Sequence, residues 1–283
     1  MRMRRNRRTL VCAALLFGIL LTGCGGEKEK EKKDVSKKSQ EQQEMLEKEQ
    51  DTQDAEEEKE ISEEPEQETQ EPEPRPQTIV IDPGHSKVVA AGTEPLGPGS
   101  LEQKAADASG TVGVSTGVPE YELTLSVSLK LREELKLRGY TVLMTRESND
   151  VPVSCVQRAD VANQAGADAY VRIHANGAEN QSAVGAMTIC ITPQNPYVPG
   201  LYGESRRLSD CVIGKFCEAA GCENDGVWET DTMSGNNWSQ VPTTIVEMGY
   251  MTNPEEDQKM QTPEYQVQMV KGIADGLDLF FGY

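Results

Sequence analysis

The sequence is short of histidine, of aromatic rings and of positive charge. Two His occur in 283 residues, aromatics make up 5%, and 28 Lys and Arg face 47 Asp and Glu, for a net charge of −19. The charge is unevenly placed. Residues 1–26 hold five Arg and no acid, residues 27–76 hold 20 acidic and nine basic residues, and residues 77–283 hold 27 and 14, a net of −13. A folded part this acidic lacks the basic footprint of a nucleic-acid binder, so DNA or RNA is not expected as a partner. Long apolar runs are scarce too. Leu10 to Leu21 is about a dozen residues, short of the roughly 20 that a spanning helix needs. None of the seven Cys shows zinc-ribbon spacing.

What is present at the start is an address. Arg2, Arg4, Arg5, Arg7 and Arg8 precede the apolar run, the pattern of a secretory signal. The run ends Leu21-Thr22-Gly23-Cys24, which resembles a bacterial lipobox. That resemblance implies a lipoprotein signal peptide over 1–23, lipid on Cys24 and a membrane anchor without a transmembrane helix. Residues 24–76 are almost all Glu, Lys, Gln, Asp, Ser and Pro. They cannot bury enough apolar surface to offset their ordering entropy, so they read as a disordered acidic linker extended by like charge. An exported location permits disulfides. Five Cys remain in the folded part, an odd number, so at least one stays free or pairs between chains. A Cys217–Cys222 bridge stays open.

Residues 77–283, about 207 of them, suffice for one ordinary core. Thr78 to Ile81 reads as a buried strand entering the turn Asp82-Pro83-Gly84. Residues 86–119 are rich in Gly, Ser, Ala and Thr without a clear period, a long loop of the kind that is often functional. Glu120 opens a helix to about Arg138, with Leu123, Val127, Leu131 and Leu135 on one face and Gly139 ending it. Strands are expected at 140–145, 169–173, 184–191 and 243–246, and helices at 157–165 and 205–219. Asn253-Pro254 and Thr262-Pro263 read as capped helix starts followed by acids. Strand and helix alternate, so the expectation is a single α/β domain with a mostly parallel sheet.

Both histidines fall where such sheets gather ligands, at carboxyl ends of strands. His85 follows the first strand, His174 ends a middle one and Glu247 ends a late one. Glu120 starts a helix that could face the same edge. Two His and one carboxylate make a catalytic zinc set with a fourth position for water, whose pKa zinc lowers to about 7. A further carboxylate must take the water's proton and return it to the leaving amine, and Glu247 fits by position. Hydrolysis of an amide or ester would follow. Residues and spacing alone leave this open against plain polar strand ends, because no compact HExxH-type motif is present.

Four motifs add a resemblance. Ile79-Val80-Ile81-Asp82-Pro83-Gly84-His85 resembles the first motif of the zinc-dependent N-acetylmuramoyl-L-alanine amidases. Val118-Pro119-Glu120-Tyr121-Glu122-Leu123-Thr124-Leu125 is similar to their second. Arg158, Ala162-Asn163 and Ile173-His174-Ala175-Asn176 look like the third. Val241 to Asn253, around Ile245-Val246-Glu247-Met248-Gly249, looks like the last. Order and spacing match over about 77–281. The resemblance implies Zn²⁺ on His85, Glu120 and His174, with Glu247 as general base. It implies hydrolysis of the amide joining N-acetylmuramic acid to L-alanine in peptidoglycan, by a catalytic domain over 77–283. The implied fold is a twisted, mixed, mostly parallel six-stranded sheet flanked by helices. Ser86 stands where the family usually has Gly, and 86–119, 192–204 and 223–240 look elaborated. Some members carry a helix that blocks zinc until a protein activator moves it, and 86–119 has room for one.

Other residues admit two readings. Asp82 could orient a ligating His or cap the turn before Pro83, with the turn favoured. Asn176 could meet substrate or hold the strand-end loop. Arg158 reads as fixing its helix to a neighbour. Trp238 could stack at a cleft rim or pack in the core, and Glu122 reads as a surface residue. Two rival functions remain: a zinc peptidase cutting within the stem peptide, and a non-catalytic substrate-binding lipoprotein, against which the four motifs and the single short domain argue.

Overall fold

The computed structural model describes residues 73–283, which fall within one compact unit. The expected signal, Cys24 and nearly all of the linker lie outside the described residues. In chain order the elements are β1 (Thr78–Pro83), β2 (Thr93–Pro95), β3 (Gln103–Ala105), α1 (Glu120–Leu137), β4 (Thr141–Met144), α2 (Cys155–Ala165), β5 (Ala169–Asn176) and β6 (Ala186–Cys190). They continue with α3 (Tyr202–Ala220), β7 (Asn224–Glu229), α4 (Ser234–Trp238), β8 (Thr243–Tyr250), α5 (Pro254–Met260) and α6 (Pro263–Phe281).

Six strands form the main sheet in the order β4-β1-β5-β8-β6-β7. β4, β1, β5 and β8 run parallel, and β6 is antiparallel to β8, so the sheet is mixed and mostly parallel as expected. The central strands are buried on both faces. Ile79 and Ile81 point into the larger core with the apolar stripes of α1, α3 and α6. Val80 points the other way, to Ala159 and Ala162 of α2 and to Tyr170. Helices therefore cover both sides, the arrangement that buries parallel strands. The expected α1 face is correct: Leu123, Val127, Leu131 and Leu135 are all fully or almost fully buried.

Local signals explain the helix starts. Ser154 and Gln157 form a reciprocal capping box, which begins α2 at Cys155, two residues before the expected start. Asn253 accepts from the backbone N–H groups of Glu255 and Glu256, and Thr262 accepts from that of Tyr265. Three features have no counterpart in the sequence-based expectation. The antiparallel pair β2–β3 lies within 86–119, which holds no helix. β7 is a half-exposed edge strand, and α4 is a single short turn of helix. None of these buries a clean apolar period. The packed structure also begins earlier than residue 77. The Arg75 guanidinium pairs with Asp278 and stacks between the Tyr140 and Tyr283 rings, and the Arg75 backbone N–H donates to the Gly139 carbonyl.

The chain leaves β1 through α1 to β4 on one side, then returns through α2 to β5 on the other side. The sheet thus changes winding direction between β1 and β5, where open α/β sheets form their crevice.

Candidate active site

The crevice begins with Pro83-Gly84-His85. His85 has φ +56°, the left-handed region that a non-glycine residue rarely adopts. Two buried arginines hold the turn in it. Arg158 donates to the carbonyls of Pro83 (2.7 Å) and His85 (2.9 Å). Arg146 donates to those of Pro83 (3.0 Å) and Gly84 (2.9 Å). Thr124 of α1 adds its hydroxyl to the Gly84 carbonyl. Gly84 is required by space, since a Cβ there would stand 2.4 Å from the His174 ring. Ser86, in place of the usual Gly, is buried and donates to the carbonyls of Asn149 and Val151.

Asp82 neither touches a histidine nor caps the turn by itself. It is a buried carboxylate that accepts from Arg158 Nη1 (2.8 Å), Arg172 Nε (3.0 Å), Tyr170 Oη (3.0 Å) and Thr145 Oγ1 (2.5 Å). Both readings of Asp82 are thereby replaced. Burial alone would raise its pKa, but the two guanidiniums outweigh it and hold the carboxyl well below the usual range. Asp82 and Arg172 are register partners across β1 and β5, which makes the ion pair a product of strand alignment. Arg158 does fix its helix to a neighbour, as expected.

Glu120 is the first residue of α1 and is buried. Its Oε1 lies 3.2 Å from His85 Nε2 and 3.1 Å from His174 Nδ1, and accepts from the N–H of Ala175. Its Oε2 accepts from the N–H of Thr111 at 2.8 Å. Burial works to raise its pKa, and the two imidazoles lower it further than burial raises it. His85 Nδ1 donates to the carbonyl of Ala108 (2.8 Å), which leaves Nε2 facing inward. The 107–111 stretch thus supports the cluster directly. At Gly110 (φ +74°) a Cβ would stand 2.7 Å from the His85 ring and 2.8 Å from Glu120 Oε2.

His174 and Glu247 are register partners on β5 and β8, and both strands continue past them, to Asn176 and Tyr250. Burial, stronger than the help from Glu120, pushes His174 down to about 4. Burial, with the nearby Glu120 charge, pushes Glu247 up to about 8. Ligand atoms of His85, Glu120 and His174 all lie within 4.8 Å of one another. Two further atoms, His174 Nε2 and Glu247 Oε2, are buried without a hydrogen-bond partner. The fit to a divalent cation rests on these facts: an N₂O donor set, and orphaned polar atoms beside it that a folded protein rarely leaves unpaired. A cleft of about 570 Å³ opens over the cluster, walled by Gln103, Lys104 and Ala105 on one side and Thr232 to Gly235 on the other.

A sequence profile of the N-acetylmuramoyl-L-alanine amidases matches residues 79–278. The chain belongs to this family. It is thereby an enzyme, an amide hydrolase of the peptidoglycan amidase class. Among relatives, the N-acetylmuramoyl-L-alanine amidase Rv3717 of Mycobacterium tuberculosis is 28% identical over 206 residues, covering 69% of this chain and 84% of the relative. The amidase LytC of Bacillus subtilis is 26% identical over 200 residues, 71% of this chain but 34% of the longer relative. Among solved structures, the amidase Ami1 of Mycobacterium smegmatis superposes with a TM-score of 0.67 at 26% identity, covering 73% of this chain and 97% of that one.

The structure gathers His85, Glu120, His174 and Glu247 at one edge. Other singled-out residues lie apart from the chemistry. The Trp238 indole donates to the Pro95 carbonyl and packs beside the Val80 core, so it ties β2 to the domain and does not line the cleft. The Asn176 side chain accepts from the N–H of Gly177 and holds the strand-end turn. Glu122 is exposed. Sequence reasoning passed over Arg146, Arg172, Asp107 and Lys104. Arg172 had a signal, a charged residue inside an apolar strand, which buried parallel strands tolerate only when it is paired. The five Cys of the domain are free thiols, with Cys217 and Cys222 Sγ 3.4 Å apart. No helix among the described residues is long and apolar enough to cross a membrane.

Proposed function

We propose that this chain is a zinc-dependent amidase that opens the bond between N-acetylmuramic acid and L-alanine in peptidoglycan during wall remodelling. The observation that carries the proposal is the His85–Glu120–His174 cluster with an unpartnered Glu247 carboxylate beside it, in a chain of this family. His85, Glu120 and His174 would hold the ion. Zinc so held supplies Lewis acidity to a carbonyl oxygen and makes water acidic near neutral pH.

The remaining work falls to the protein. Glu247, whose buried Oε2 has no hydrogen-bond partner beside the cluster, would take the proton of the attacking water and return it to the leaving amine. Arg146 and Arg158 hold the backbone of the first ligand, and the Ala108 carbonyl fixes its ring. The motifs at the start of the chain support export, with residues 1–23 as signal, lipid on Cys24 and 24–76 as a tether for the 77–283 catalytic domain. A membrane anchor at one end and a wall-facing enzyme at the other suit a polymer lying outside the membrane.

The test is product identity with metal content. Purified chain incubated with muropeptides should release stem peptides with a free L-alanine N-terminus, and should carry about one zinc per chain. Cuts within the stem peptide would instead identify a peptidase.

A further inference from the structure

Three cations line the cleft: Lys104, Arg158 and Arg172. Arg158 and Arg172 are committed to Asp82. Lys104 has no carboxylate partner among the described residues, and its ammonium donates only to the carbonyl of Thr232, at 3.0 Å across the cleft mouth. A partner was within reach. Glu94 is the cross-strand neighbour of Lys104 in the β2–β3 pair, and such neighbours share one face of a ribbon and commonly pair when oppositely charged. Glu94 turns away instead. Its carboxylate accepts from the Ser154 hydroxyl and, at 3.1 Å, from the N–H of Val156, at the start of α2. An ammonium has three donors, so two remain free on Lys104.

The substrate's charge is one-sided. On the proposed reading of the site, on which this inference rests, the muramic lactyl carboxyl is consumed in the scissile amide, so the glycan side is neutral. Every carboxylate of the substrate lies on the peptide side. Of the cations lining the cleft, Lys104 is the one left without a carboxylate among the described residues. We propose that Lys104 binds a free carboxylate of the stem peptide, that of the acidic residue following L-alanine, and so fixes the direction of the substrate. The peptide then runs along β3 and the glycan leaves by the opposite end of the cleft.

The experiment compares two soluble muropeptides that differ at one group, a carboxylate or a carboxamide on the second stem residue, with the full chain and its Lys104→Met and Lys104→Arg variants. The unsubstituted chain should prefer the carboxylate by about tenfold in kcat/KM, chiefly through KM, and less so at high salt. Lys104→Met should remove most of that preference, with the loss falling on the carboxylate substrate, and Lys104→Arg should restore it. An unsubstituted chain without preference, or a Lys104→Met chain that keeps it, overturns the proposal. So does an equal loss on both substrates, which would mark Lys104 as a mere tie to Thr232. Cleavage of neither substrate at the muramoyl bond overturns the amidase reading itself, and Lys104 with it.

Discussion

Asp82→Asn is the substitution that most directly tests how this site is held. The exchange keeps size and shape and removes one charge. Four side chains donate to Asp82, two of them buried guanidiniums, and among the described residues the other carboxylate within ion-pair distance of either is Asp107, at a loose 3.9 Å from Arg158 Nη2. Breaking a buried ion network by removing one partner costs about 3–5 kcal/mol. In a domain of this size each kcal/mol lowers Tm by about 2–4 °C, so the expected fall is about 6–20 °C at neutral pH. The pH dependence has a definite sign. Because the folded carboxyl is held below its ordinary range, its stabilisation is present at neutral pH and is lost as pH falls below about 4 toward the depressed value. The gap between parent and variant should therefore narrow in acid. Thermal unfolding of the full chain at pH 7 and at pH 3–4 measures both. A Tm shift below about 2 °C at pH 7, or a gap that widens in acid, would refute the picture of Asp82 as a charged hub.

Glu247→Gln should lower turnover by about 10²–10⁴ while zinc stoichiometry stays near that of the parent; comparable activity in the variant removes Glu247 from the chemistry. His85→Ala should lose both zinc and activity, and retained stoichiometric zinc would reassign the ligand set. Gly84→Ala drives a methyl against the His174 ring at 2.4 Å, so zinc affinity should drop by about 10–100-fold in a metal titration, with folding retained by circular dichroism. In metal-stripped protein, Glu247 is raised from 4.5 to about 8, so its contribution to stability is present below the lower value and is lost as pH rises through the upper one. Urea unfolding across that range should show the decline in the parent, and the metal-stripped Glu247→Gln variant should lack it.

Much of the fold was legible because its signals are local. The α1 stripe and the Asn253 and Thr262 caps are set by nearby residues and appear as expected, while the first strand forms where its apolar run lies but continues two residues further, through Pro83. β2, β3 and β7 were not legible. They are short or half-exposed strands whose pairing partners, not their own pattern, create them. The same contrast divides the site. His85, Glu120, His174 and Glu247 could be named from rare residues and motif order. Of their supports only Arg158 was singled out, as a helix tie, because Arg146 and the Ala108 carbonyl reach the first ligand from positions tens of residues away.

The sequence by itself determined most of the elements, the family and the four residues where chemistry is concentrated, since periodicity, caps and motif spacing are properties of neighbouring residues. Only the tertiary structure decided that Asp82 is an ionic hub, that Trp238 packs away from the cleft and that Lys104 is left without a carboxylate. Each of these depends on which strand lies beside which, and at what register. Asp82 meets Arg172 because β1 and β5 align there, and Lys104 loses Glu94 because α2 begins where that carboxylate can reach it.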